Sequence, residues 1–213
     1  MARLIFVRHG ESRATIDRVI GGPRTCQGLT DLGRRQCEAL ARRWSAEGMR
    51  CDRLIASNFR RAEQTAAILA PVLGAGTEID PAFGEIDPGP SADGMPYDEF
   101  FRSNGRDPDD WDKVGPFGHY FADGETVSDM FNRVGKGLEA LVRSLGRDGS
   151  AVICCHGGTI DAALRRAMQA PLMGGFSLFT TNASITEVLS GATWRIVRYN
   201  DAAHLNGLRG DSP

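Results

Sequence analysis

Histidine occurs four times in this chain of 213 residues, and two of the four follow apolar runs of the same kind. LIFV, residues 4–7, passes directly into Arg8, His9 and Gly10. AVICC, residues 151–155, passes directly into His156, Gly157 and Gly158. Imidazole can attack, carry a proton or hold a metal near neutral pH, and the guanidinium fork suits oxyanions. Either histidine alone would read as a hydrogen-bonded residue at a strand end. The repetition points to one shared site. A third piece, SNFRRAEQTA at residues 57–66, also follows a strand pattern and opens a helix. It places Arg60 and Arg61 in the first helical turn, where the macrodipole disfavours cations. A helix that tolerates arginine there is suited to presenting it to an anion.

The elements that must position these groups alternate. Residues 3–7 read as a strand apolar on both faces, as in a central parallel strand covered by helices. Residues 31–47 read as a helix capped by Thr30, with Cys37, Leu40, Ala41 and Trp44 as its buried stripe and Gly48 as its stop. A strand at 53–56, a helix at 59–73 and a weak strand at 77–79 follow. Val127, Phe131, Val134, Leu138, Leu141 and Leu145 keep helical spacing after Thr126, and Thr126 with Asp129 resembles a capping box. A second strand apolar on both faces spans 151–155, and Gly157 and Gly158 open the next helix. Residues 184–189 and 193–199 read as a hairpin turning at Ser190 and Gly191, and the stretch after Asn200 reads as a tail. The expected architecture is α/β, with a mainly parallel sheet and helices on both faces. In such sheets the active crevice lies beyond the carboxyl ends of the strands, where both histidines fall.

Length suggests one domain over residues 1–213, with a loop-rich excursion at about 81–124 that would lie over the site. That excursion is dense in Pro, Gly and Asp, with one short helix expected around 97–102. Asp87, Asp93, Asp98, Asp123 and further acids there outnumber Arg102, Arg106 and Lys113. The formal net charge of −2 offers no basic footprint for nucleic acid. No apolar run approaches the roughly 20 residues of a membrane helix. Arg8 interrupts the first apolar run too early for a secretory signal. Five cysteines, two of them adjacent, read as reduced thiols in a cytoplasmic protein. The sequence leaves a homodimer open.

VRHGES (7–12), SNFRRAEQTA (57–66), FGEIDPG (83–89) and HGGT (156–159) resemble, in order and at similar spacing, the motifs of the histidine phosphatase superfamily, the phosphoglycerate mutase-like proteins. LTDLGRRQ, NASITEV and YNDAAHL extend the resemblance over most of the chain. It implies a three-layer αβα sandwich. It also implies His9 as nucleophile and Arg8, Arg61 and His156 as ligands of the phosphoryl oxygens, with Arg60 a solvated neighbour. The backbone after His156, Gly157 included, would add to the anion site at a helix start. Thr15 stands where relatives often carry another polar phosphate contact. Glu85 matches the general acid, expected to carry its proton mainly with phosphate bound and then to act as base for water. Glu11, inside RHGE, is expected to be structural.

The implied reaction is hydrolysis of a small phosphomonoester through phosphohistidine, without metal or cofactor. The alternatives are mutase-type phosphoryl transfer and a non-catalytic phosphate-binding module. Against a mutase, Ile86, Asp87 and Pro88 follow Glu85 where mutases carry a basic and aromatic stretch. PGPSADGM stands where many small phosphatases carry W-E-G. A cysteine-dependent phosphatase needs arginine six residues after its cysteine, but Ile160 follows Cys154 at that spacing and Asp161 follows Cys155. The four histidines show no paired metal-ligand spacing, and no Walker sequence occurs. If the acids of the excursion rim the pocket, they should repel polyanions and favour a neutral or cationic leaving group.

Overall fold

β1 (Arg3–Arg8) is apolar on both sides because both of its faces are covered. Leu4 and Phe6 point into one core, and Ile5 and Val7 into the other. The computed structural model describes residues 1–105, 107 and 111–208.

After β1 come α1 (Arg13–Ile16), α2 (Asp31–Ala46), β2 (Arg53–Ala56), α3 (Arg60–Leu73) and β3 (Thr77–Ile79). The excursion holds α4 (Gly89–Ala92), α5 (Tyr97–Asn104) and α6 (Trp111–Val114). α7 (Val127–Leu145), β4 (Ser150–Cys155), α8 (Gly157–Met168), β5 (Ile185–Leu189) and β6 (Arg195–Asp201) complete the chain. The strands form one sheet in the order β3-β2-β4-β1-β5-β6. β1, β4, β2 and β3 run parallel; β5 is antiparallel to β1 and to β6. α7 and α8 cover one face, against Leu4, Phe6 and Ile153. α2 and α3 cover the other, with Leu40, Trp44 and Leu69 against Ile5, Val7 and Val152. This is the expected mixed α/β sandwich. Among the described residues no helix is long and apolar enough to cross a membrane.

The caps follow the sequence. The Thr30 side chain accepts from Gly33 N, and Thr126 and Asp129 form a reciprocal capping box. Gly10 and Gly33 let the loop after β1 lie directly on α2: a Cβ on Gly10 would stand 2.3 Å from Gly33 O, and one on Gly33 would stand 2.1 Å from Glu11 O. Glu11 is buried in this contact and accepts from the Thr30 hydroxyl at 2.7 Å.

Two expectations change. The stretch after Asn200 is not a free tail. β6 runs to Asp201, a 3₁₀ turn spans Ala203–Leu205, and Leu205 is fully buried with Leu29, Cys37 and Ala183. A lone leucine among polar residues carried too little periodicity to show this. The excursion is also more ordered than its composition suggests. Ala92, Phe100, Tyr120 and Phe121 enclose Ile20 in a small core of their own.

Candidate active site

The parallel pairing of β1 with β4 runs in register from Arg3 opposite Ser150 to Arg8 opposite Cys155. The next residues are His9 and His156, so the sheet delivers both imidazoles at one level. His9 N donates to Cys155 O at 2.9 Å, and the rings meet edge to face with centroids 5.1 Å apart. That separation is close to the spacing of adjacent strands.

His9 is 5% exposed and its hydrogen bonds assign its tautomer. Nδ1 lies 2.7 Å from Gly10 O, a pure acceptor, so Nδ1 carries the proton. Nε2 then holds a lone pair, which accepts from Arg61 Nε at 3.0 Å. Burial, reinforced by the Arg61 and Arg8 charges, pushes the His9 pKa well below the ordinary histidine value. His9 is thus a neutral imidazole. Asn182 Nδ2 donates to its carbonyl at 3.0 Å and helps to fix the backbone.

Arg61 is 6% exposed, while Arg60 is exposed, as the motif spacing implies. Arg61 Nη1 donates to Gly21 O at 2.9 Å, and the guanidinium lies over the Phe59 ring. Arg8 donates to Thr180 O, and its Nε is buried without a partner. Among the described residues, neither Arg8 nor Arg61 pairs with a carboxylate within 4.0 Å. His156 is fully buried. Its Nε2 lies 2.7 Å from Ser57 Oγ, and its Nδ1 has no partner. Burial and the same two arginines push its pKa well down. Buried guanidinium groups left unpaired are costly unless an anion completes them.

Glu85 reaches the site from the excursion. Its Oε2 accepts from Gly158 N at 3.0 Å, at the start of α8, and its Oε1 accepts from Ile86 N at 3.2 Å. A Cβ on Gly158 would stand 2.3 Å from Glu85 Oε1, so the approach requires glycine. Arg8, His9, Thr15, Arg61, Glu85 and Gly157 all line one cavity of about 500 Å³. His156 does not line it: the ring is fully buried behind His9, which it meets edge to face. Thr15 is exposed at the rim, on the short α1, where Ser12 Oγ lies 3.1 Å away.

Among the described residues, no acid of the excursion other than Glu85 rims this cavity. Asp87 pairs with Arg24, Asp93 binds Arg24 and the Gly22 and Arg24 amides, and Asp98 pairs with Arg18. From the excursion the wall receives Glu85, Ile86, Pro88, Tyr97 and Phe121. Among the described residues the expected electrostatic screen is therefore missing, because those carboxylates hold the excursion together. Asp109 and Asp110 lie outside the described residues.

Sequence reasoning missed two groups. Arg133 on α7 binds the carbonyls of Pro81, Ala82, Gly84 and Glu85 and pairs with Glu125, which fixes the backbone that carries Glu85. Thr180 holds Arg8 by its carbonyl, and its buried hydroxyl, which has no partner, lines the cavity. Both act on or through backbone atoms, which leave no signature in residue type. Cys37, Cys154 and Cys155 offer no rival nucleophile. Burial pushes the Cys37 thiol up to about 11 and raises Cys154 and Cys155 as well. No group of three His, Cys, Asp or Glu side chains suited to a metal occurs among the described residues.

Comparisons with known proteins bear on the family and the fold. The family model described as histidine phosphatase superfamily (branch 1) matches residues 4–202. A curated relative from Yersinia pestis (strain Pestoides F), named as a probable phosphoglycerate mutase GpmB, is 26% identical over 215 aligned positions, covering 97% of this chain and 96% of its own. Two solved structures share the fold. YhfR of Bacillus stearothermophilus superposes with a TM-score of 0.80 at 21% identity, covering 96% of this chain and 100% of its own. A mycobacterial glucosyl-3-phosphoglycerate phosphatase, solved with VO3, superposes with a TM-score of 0.76 at 23% identity, covering 93% and 98%.

Proposed function

This chain belongs to the histidine phosphatase superfamily, whose members are phosphatases and mutases, and we propose that it hydrolyses a small phosphomonoester through a phosphohistidine on His9. The observation that carries this reading is the neutral His9 Nε2 lone pair set beside the buried Arg61 and half-buried Arg8 guanidinium groups, neither of which forms an ion pair among the described residues.

A phosphate ester fits between Arg8, Arg61 and His156, with the Gly157 amide at the helix start and the Thr15 hydroxyl at the rim as further donors. Arg61 Nε turns from the His9 lone pair to a phosphoryl oxygen. His9 Nε2 attacks phosphorus, the P–N bond forms and the P–O ester bond breaks. Glu85 gives its proton to the departing alkoxide, and the alcohol leaves. Water then attacks the phosphohistidine, the Glu85 carboxylate takes its proton, the P–N bond breaks, and inorganic phosphate and neutral His9 are released. Electrostatic stabilisation of the equatorial oxygens is the main demand of phosphoryl transfer. Arg8 and Arg61 supply that charge, so the reaction needs no metal.

A phosphatase is favoured over a mutase by the cavity wall. Its described cationic side chains are Arg8 and Arg61, both committed to the transferred group. A mutase needs further cations to retain a small, highly anionic bisphosphate. A silent binding module needs neither the nucleophile nor Glu85. The test is hydrolysis of p-nitrophenyl phosphate in EDTA by wild type and His9→Ala. Turnover that survives chelation and vanishes in the variant is expected. Equal rates, or activity restored only by added metal, would overturn the reading.

A further inference from the structure

A second cavity of about 470 Å³ adjoins the first. The two share Glu85, Ile86, Gly157, Gly158, Ser177 and Leu178 in their walls. Glu85 thus stands where they meet, and Glu85 is the group that faces the departing oxygen in the proposed reaction. Beyond Glu85 the second cavity is walled by Val127, Met130, Phe131, Leu172 and Leu178.

One polar group in that apolar wall is incomplete. Asp161 follows Gly158 by three residues on α8, so it lies on the same helix face roughly 4.5 Å further along the axis. Its Oδ2 accepts from Arg165 Nε at 2.7 Å, but its Oδ1 is buried and has no partner. Burial raises the Asp161 pKa. Arg165 is 4% exposed and also donates to the carbonyls of Pro171, Gly174 and Phe176 while stacking on the Phe176 ring. It thereby fixes the segment that closes the chamber, with the Asp161–Arg165 pair electrically neutral. The Asp161 side chain is nonetheless 23% exposed where it lines the chamber, so a ligand N–H or O–H can donate to the carboxylate.

We propose that this chamber is the leaving-group site, and that it takes an uncharged, largely apolar alcohol carrying one further hydroxyl or amide that donates to the Asp161 carboxylate. The inference rests on the phosphatase reading and names its substrate class. Polyphosphates and sugar bisphosphates are poor occupants, because the chamber offers one cation and that cation is already paired. Short polar alcohols would leave the apolar walls wet.

n-Alkyl monophosphates test this, because the basicity of the leaving alcohol hardly changes with chain length. Phosphate release should show kcat/KM for hexyl phosphate at least tenfold above that for ethyl phosphate, as burial of added methylenes requires. Leu172→Trp, which fills the chamber, should abolish that ratio by bringing kcat/KM for hexyl phosphate down to about that for ethyl phosphate. If that variant does not fold, Val127→Phe makes the same test. 4-Hydroxybutyl phosphate should exceed butyl phosphate by about fivefold, the worth of one hydrogen bond, and Asp161→Ala should remove the preference. A flat alkyl series, a ratio indifferent to the filling variants, or a hydroxyl that gives no gain would overturn the assignment. Those outcomes with turnover still dependent on His9 sink the chamber alone. Turnover that survives His9→Ala sinks the phosphatase reading.

Discussion

Arg61 Nε lies 3.0 Å from His9 Nε2, so one guanidinium both marks the lone pair that attacks and keeps it from being protonated. Arg61→Lys retains a charge but loses the fork that can hold Gly21 O and a phosphoryl oxygen together. We expect kcat on p-nitrophenyl phosphate to fall about 10²- to 10³-fold, the scale of losing one transition-state donor. Steady-state kinetics with circular dichroism as a check on folding decide this. A loss below about threefold would remove Arg61 from the phosphoryl cradle.

Stability should depend on pH through the two histidines. The unfolded chain titrates both imidazoles near 6.5, while burial and the flanking arginines hold His9 and His156 well below that in the folded protein. Below pH 6.5 the unfolded state therefore binds more protons. Stability is full above that value and falls as the pH drops towards the folded values, by at most about 1.4 kcal/mol per pH unit for each histidine. Urea unfolding between pH 7.5 and pH 5 should show this slope, and His9→Asn/His156→Asn should reduce it to the part left by His204, whose pKa burial also lowers. An unchanged slope in the double variant would contradict the neutral assignment.

Gly158→Ala should separate binding from chemistry. The added Cβ meets Glu85 Oε1 at 2.3 Å and Met130 Cε at 3.1 Å, so the carboxylate must move. A displacement of about 1 Å can cost on the order of 10²-fold in rate. We expect kcat to drop by about that factor while inhibition by vanadate stays within about threefold of wild type. Equal losses in both would mean that the substitution disturbs the anion cradle instead.

Arg133 should behave as a positioning residue. Arg133→Lys cannot reach the carbonyls of Pro81, Ala82, Gly84 and Glu85 together with Glu125. The expected result is a fall of about tenfold in kcat with little change in KM, and a loss of about 1.5–3 kcal/mol in unfolding free energy. Loss of stability with kcat unchanged would make the role purely structural.

The parts legible in the sequence were those that residue type encodes. Strands apolar on both faces announced β1 and β4, and the histidines that terminate them met as expected. The resemblance of SNFRRA to the family motif distinguished the buried Arg61 from the exposed Arg60. Arg133 and Arg165 stayed hidden because a helical arginine has the same letter whether it faces water or grips a loop, and their partners are mostly carbonyl oxygens. The acids of the excursion misled for a related reason. Composition counts Asp87 and Asp93 as charge, whereas the fold spends both on Arg24. Leu205 shows a third limit, since a single leucine becomes core only when α2 is there to cover it.

The register of β1 against β4 has a consequence for how such a protein can change. His9 and His156 take their separation from backbone hydrogen bonding between adjacent strands, and neither depends on the segments that wall the leaving group. The segment at 171–178 is held by Arg165, and the excursion by Arg24 and Arg133, each through contacts remote from the two imidazoles. The placement of the nucleophile is therefore mechanically uncoupled from selectivity, whereas Glu85 travels with the excursion. The rim can be exchanged, lengthened or grafted from another scaffold without retuning the attacking nitrogen, which makes this sheet a fixed chassis for interchangeable specificities.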